Sequence, residues 1–130
     1  MNLLLDTHVL IWWLEASEQL GARSKAAMFR RDATLWFSAA SVWEMSIKTA
    51  LGRLELNRPL ESVIPLLLER GFRSLPITIQ HALAVQGLPR HHSDPFDRML
   101  VAQAQCEDLT LVTADPAITA YDVRAIDASR

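Results

Sequence analysis

The chain has 130 residues, half of them hydrophobic and 22% charged, which suits one folded domain spanning residues 1–130 without disulfides or a structural metal. The net charge of −2 and pI near 6.0 exclude a protein that binds polynucleotides through global positive charge, although a local basic face stays open. One cysteine, Cys106, excludes an internal disulfide and fits a reducing compartment. No secretory leader and no apolar run of ~18 residues is visible, so a cytoplasmic location is expected.

Residues 2–6, Asn-Leu-Leu-Leu-Asp, read as a short strand buried on both faces. THVLIWWLEAS follows as a helix, with Thr7 available as its cap and Val9, Leu10, Trp13 and Leu14 at helical spacing. SKAAMFRRD is a second helix and ATLWFSA, residues 33–39, a second buried strand. SVWEMSIKTALGRLEL is a helix that stops at Gly52. RPLESVIPLLLERGF reads as helical, and Pro65 within it predicts a break or a late start. FRSLPIT is an extended piece, followed by a helix over Ile79–Gln86. Asp94 before Pro95 is a strong start for a helix running to about Cys106. LTLVTA is the next strand, Asp115-Pro116 repeats the cap-plus-proline signal, and VRAI, residues 123–126, is the last strand. Strands alternating with helices predict a parallel sheet covered on both faces.

In such a sheet, sites form at the carboxyl ends of the strands. Asp6 ends the first strand, and Asp115 lies just beyond LTLVT. Asp94 and Asp97 open the helix between them in sequence. Each acid has a local explanation. Asp94 and Asp115 are good N-caps. Asp97 near a helix start gains about 0.3–1 kcal/mol from the helix dipole. Ser41 and Glu44 have the spacing of a capping box, which fails if the helix begins nearer Ser38. Asp6 is the least explained locally, because Thr7 can cap the same helix. Taken as a set, carboxylates converging within ~4–6 Å repel, and at least one pKa rises in the empty site. A hard divalent cation relieves that repulsion. Mg²⁺ favours a few carboxylates plus waters, and can activate a water and stabilise a phosphoryl transition state.

LLLDTHVLIWWL, SAASVWEMSIKTALGRLEL, LPRHHSDPFDRMLVAQAQ and LTLVTADPAITAY together resemble a PIN-domain protein of the VapC toxin type, in order and over nearly the whole chain. The resemblance implies an α/β, three-layer PIN-like fold with a parallel sheet of four to five strands between helices. It also implies an Mg²⁺- or Mn²⁺-dependent endoribonuclease, the toxin of a type II toxin–antitoxin pair, dimeric and neutralised by a VapB-like antitoxin. Carried over by motif, the four family acids match Asp6, Glu44, Asp97 and Asp115. Asp6 and Asp97 then bind the metal most directly. Glu44 and Asp115 complete the pocket through water or by orienting the nucleophile. Asp94 is the cap that orients the helix. Thr7 and Thr113 either bond the carboxylates or the scissile phosphate, or are plain capping and strand-end hydroxyls.

Arg98 either contacts phosphate or neutralises Asp94. Arg23, Lys25, Arg30 and Arg31 form a basic stretch that is a solvated face unless it flanks the acids, where it holds an RNA backbone. His91 and His92 read as a solvated loop, because Cys106 stands alone and a structural zinc site wants four Cys or His ligands. His8 reads as facing solvent. Of the tryptophans, Trp13 and Trp36 fit the core, whereas Trp12 and Trp43 are candidates for partial exposure at an interface. A nucleotide-binding module needs a glycine-rich loop after the first strand, and the four glycines, at 21, 52, 71 and 87, do not supply one. A catalytically silent partner-binding domain predicts loss of an acid, and all four are present. A metal-dependent phosphatase or nuclease acting on another nucleic acid shares the site chemistry and differs only in substrate.

Overall fold

The computed structural model describes residues 1–130. In chain order the elements are β1 (Asn2–Leu5), α1 (Thr7–Leu14), α2 (Ala22–Met28), β2 (Thr34–Ser38), α3 (Ala39–Ala50) and α4 (Leu60–Glu69). They continue with β3 (Arg73–Leu75), α5 (Ile79–Val85), α6 (Pro95–Glu107), β4 (Thr110–Thr113), α7 (Pro116–Thr119) and β5 (Ala125–Asp127). All five strands join one sheet in the order β3-β2-β1-β4-β5, and every pairing is parallel. No helix is long and apolar enough to cross a membrane.

The leucine run explains the layering. Successive strand residues point to opposite faces. Leu3 and Leu5 therefore enter one core, with Val9 and Leu10 of α1, Met28 of α2, and Val63 and Leu67 of α4. Leu4 enters the other, with Leu100, Val101 and Ala104 of α6 and Ile118 of α7. β1 is apolar at every buried position because both of its faces are covered. α3 spans the two layers: Ala40 joins the second core and Met45 the first. This is the expected three-layer α/β architecture.

The chain runs outward from β1 to β2 and β3, then crosses to lay β4 and β5 on the opposite side. The order reverses between β1 and β4, and a crevice opens at the carboxyl ends of strands at such a point. Asp6 follows β1 directly, and Asp115 follows β4 by one residue.

Two local expectations are corrected. α4 runs through Pro65 without a break. Proline removes one backbone bond, but Val63 and Leu67, one turn apart on either side of it, are fully buried and hold the turn in register. α3 begins after Ser38, whose hydroxyl accepts from Ala40 N–H at 2.9 Å. Glu44 thus lies inside the helix, and the Ser41–Glu44 capping box does not form. The stop at Gly52 is as expected: its φ is +71°. Gly52 N–H donates to Thr49 O at 3.1 Å and Arg53 N–H to Lys48 O at 2.8 Å, closing the helix with a left-handed residue.

Residues 127–130 are sewn to α2. Gly21 N–H donates to Ala128 O at 2.8 Å and Arg23 N–H to Arg130 O at 2.8 Å, and Ser24 Oγ donates to Asp127 O at 2.7 Å. A Cβ on Gly21 would lie 2.1 Å from the Arg130 carbonyl carbon. Gly21→Ala is expected to cost about 1–3 kcal/mol in a denaturant melt, as overpacking does. A variant as stable as its parent contradicts this docking.

Candidate active site

Asp6 is fully buried and is the N-cap of α1: its Oδ1 accepts from Val9 N–H at 3.1 Å. Thr7 is therefore the first helical residue and not the cap. The same Oδ1 lies 3.0 Å from His8 Nδ1, and Thr113 Oγ1 donates to Asp6 Oδ2. Ala114 N–H donates to His8 Nε2 at 3.2 Å, so the His8 proton resides on Nδ1, aimed at Asp6. Burial opposes charge on His8. The hydrogen bond to Asp6 and the fields of Asp6, Asp97 and Asp115 outweigh it and raise the imidazole above its ordinary value. His8 is thus turned into the site, contrary to its expected outward orientation. A buried carboxylate costs several kcal/mol without partners; Asp6 has three donors, which is why the chain tolerates an acid after three leucines.

Asp94 and Asp115 are both N-caps, as the two Asp-Pro steps predict. Asp94 Oδ1 accepts from Phe96 N–H at 2.8 Å and Asp97 N–H at 3.2 Å. Asp115 Oδ1 accepts from Ala117 N–H at 2.9 Å. Asp115 also turns its other oxygen inward, where Oδ2 lies 2.8 Å from His92 Nε2. Asp97 Oδ2 lies 3.0 Å from the same nitrogen. Donor atoms of His92, Asp97 and Asp115 sit within 4.8 Å of one another. His92 belongs to the site, and the solvated-loop reading is corrected for it; His91 is exposed and packs edge-on to Tyr121. Spacing alone carried no signal for His92, because its orientation depends on a loop anchored far along the chain.

Glu44 comes from α3 and is buried. Lys48, one turn later, holds its Oε2 at 2.5 Å. Its Oε1 is buried with no hydrogen-bond partner. The bond to Glu44 raises the Lys48 ammonium above its ordinary value; partial burial opposes this and the fields of Glu44, Asp94 and Asp97 support it. Asp97 carries the largest perturbation. Burial first, then the charges of Asp94, Asp6 and Glu44, push its carboxyl up to about 7, with His92 partly opposing. The structure thus brings Asp6, Glu44, Asp97 and Asp115, from four elements or their edges, to one end of the sheet.

Thr7 and Thr113 serve the acids and their supports. Thr113 Oγ1 bridges Asp6 and Asp115, donating to the first and accepting from the backbone N–H of the second at 3.0 Å. Thr7 Oγ1 donates to Ser41 Oγ at 3.0 Å, tying α1 to α3. Arg98 contacts no acid. Its guanidinium donates to Pro89 O at 2.9 Å, Val85 O at 3.1 Å and Tyr121 Oη at 3.1 Å. It does not pair with Asp94; it clamps residues 85–92. In the basic stretch, Arg30 is committed to Asp32 at 3.0 Å. Trp13 packs on Phe72, and Trp43 stays 59% exposed, edge-on to Phe96 beside Asp97.

The donor set suits a hard divalent cation. It is rich in carboxylate oxygens, it contains no thiolate, and the buried Glu44 Oε1 has a free acceptor site although Lys48 pairs the other oxygen.

These features define an acidic site at the switch point of a parallel α/β sheet, and comparison with known proteins gives it a family. The PIN domain pattern matches residues 3–124. Ribonuclease VapC22 of Mycobacterium tuberculosis is 31% identical over 115 residues, 88% of this chain and 87% of that protein. Among solved structures, VapBC2 from Rickettsia felis bound to a promoter DNA fragment superposes with a TM-score of 0.73 at 12% identity, covering 97% of this chain and 98% of that one. FitAcB from Neisseria gonorrhoeae gives 0.62 at 26% identity, covering 95% and 96%. The chain belongs to the PIN-domain family, among its VapC-type members.

Proposed function

We propose that this protein is a metal-dependent endoribonuclease, the toxin of a VapBC-type pair. The observation that carries this reading is the convergence of four acids at one end of the sheet, where burial and then the charges of Asp94, Asp6 and Glu44 push the Asp97 carboxyl up to about 7, beside a Glu44 oxygen with no hydrogen-bond partner. Asp6, Glu44, Asp97 and Asp115 would hold Mg²⁺ or Mn²⁺, with Asp6 and Asp97 contributing most directly. Bound there, the ion supplies an activated water and charge neutralisation at a phosphodiester.

The protein's own groups do the rest. Val9 N–H, His8 and the Thr113 hydroxyl fix the rotamer of Asp6, and Ala117 N–H fixes that of Asp115, so the acids are placed before any ligand arrives. Lys48, half exposed at the rim, offers a positive charge to the RNA backbone, a contact that positions without reading sequence. The substrate class follows from the ribonuclease relative. A VapB-like antitoxin as partner follows from the VapBC likeness, and a homodimer in the cytoplasm completes the proposal.

The test is incubation of purified protein with total RNA and Mg²⁺, followed by mapping of new ends. The reading expects discrete cleavage sites that vanish with chelator and with a co-purified antitoxin. Cleavage that persists in chelator, or intact RNA with cut DNA, overturns it.

A further inference from the structure

The metal reading leaves His92 unexplained, and its hydrogen bonds decide what it can do. Asp94 N–H donates to His92 Nδ1 at 3.1 Å, so Nδ1 must present a lone pair. The ring proton then resides on Nε2 and is donated to Asp115 Oδ2 at 2.8 Å, with Asp97 Oδ2 lying 3.0 Å from the same nitrogen. A nitrogen carrying a proton has no lone pair for a metal. Moving that proton to Nδ1 would set it against the Asp94 N–H, donor facing donor.

We propose that His92 is a positioning residue and not a metal ligand: its Nε2–H holds Asp115 and draws Asp97 toward it electrostatically, and leaves their remaining lone pairs to the cation. The inference rests on the metal reading of the four acids and adds how two of them are aimed. It also keeps the inner sphere of the ion all oxygen, which suits Mg²⁺ and Mn²⁺ better than metals that seek imidazole.

The ring is itself held from behind. His92 N–H donates to Tyr121 Oη at 3.0 Å, and Arg98 donates to the same oxygen at 3.1 Å. Tyr121 is buried, so this anchor is shielded from solvent. The Asp94 cap that starts α6 therefore has two functions: its carboxylate orients Asp97, and its amide sets the tautomer of His92. His8 repeats the pattern at Asp6, with the Ala114 amide setting its tautomer.

Two measurements on the full chain at pH 8 test this. Mg²⁺ affinity is read by calorimetry for the parent, His92→Leu and His92→Gln; the glutamine amide restores an N–H near the Nε2 position. Loss of a group that orients ligands typically weakens metal affinity about 10–100-fold, which is the expectation for His92→Leu, with His92→Gln recovering most of it. In parallel, long-range ¹H–¹⁵N spectra report the tautomer. The expected result is an Nε2–H signal for His92 that survives saturating Mg²⁺. A switch to Nδ1–H on adding Mg²⁺ makes His92 a ligand and overturns the inference, as does His92→Leu binding as tightly as the parent. A parent that does not bind Mg²⁺ at all overturns both the inference and the metal reading, which separates the two failures.

Discussion

Asp97→Asn raises the melting temperature of the metal-free protein at pH 8 by about 5 °C and abolishes its response to Mg²⁺. The folded value of this carboxyl is about 7, against about 4 in an unfolded chain. Between those values the folded state keeps a proton that the unfolded state has released. Stability contributed by the group is therefore full below pH ~4 and is lost as pH rises through about 7. Three units correspond to ~4 kcal/mol at full effect. The side chain retains 17% exposure, so solvent screening reduces this to ~2 kcal/mol, and a domain of this size moves by a few degrees per kcal/mol. Asparagine keeps an acceptor for His92 and does not ionise. Its advantage over the parent should grow from nothing near pH 4 to its full size at pH 8, read by melts across that range. Saturating Mg²⁺ should reverse the order by stabilising the parent through RT ln(1 + [L]/Kd). Equal stability at pH 8 contradicts the crowded-carboxylate account.

Asp6→Asn should reduce RNA cleavage by at least ~100-fold while leaving the melting temperature within a few degrees of the parent. The structure explains why the two readouts separate. Asparagine is as good an N-cap as aspartate, so the bond from Val9 N–H survives. The Thr113 hydroxyl can turn to accept from the new amide. What is lost is the charge. Asp6→Ala is the informative contrast: it also removes the cap and costs ~1 kcal/mol. Unfolding of Asp6→Asn under native conditions would make Asp6 a structural acid alone.

The architecture was legible because its signals are local. Three buried leucines before an acid, two Asp-Pro starts and a glycine stop each act within a turn of chain, and alternation of strands and helices then implies the parallel sheet. Pro65 misled because burial of Val63 and Leu67 is a tertiary effect that outweighs one missing bond. Glu44 was recognisable only through resemblance; its capping-box spacing pointed elsewhere, and the position of the Ser38 cap decided the matter. The settings of His92 and Arg98 were not legible for one reason. Their partners lie across the fold, at Asp115 and Tyr121, and no periodicity encodes a loop that turns a histidine inward. Asp6 carries both explanations offered for it in sequence: it caps a helix and faces the acidic cluster.

The central claim is that four acids from separate elements share one divalent ion. The most direct measurement is an anomalous difference map from a crystal soaked in Mn²⁺. The account predicts a peak contacted by the carboxylates of Asp6 or Asp97, with Glu44 and Asp115 beside it and His92 outside its inner sphere. A map with no peak among these residues, or with the ion bound elsewhere, contradicts it.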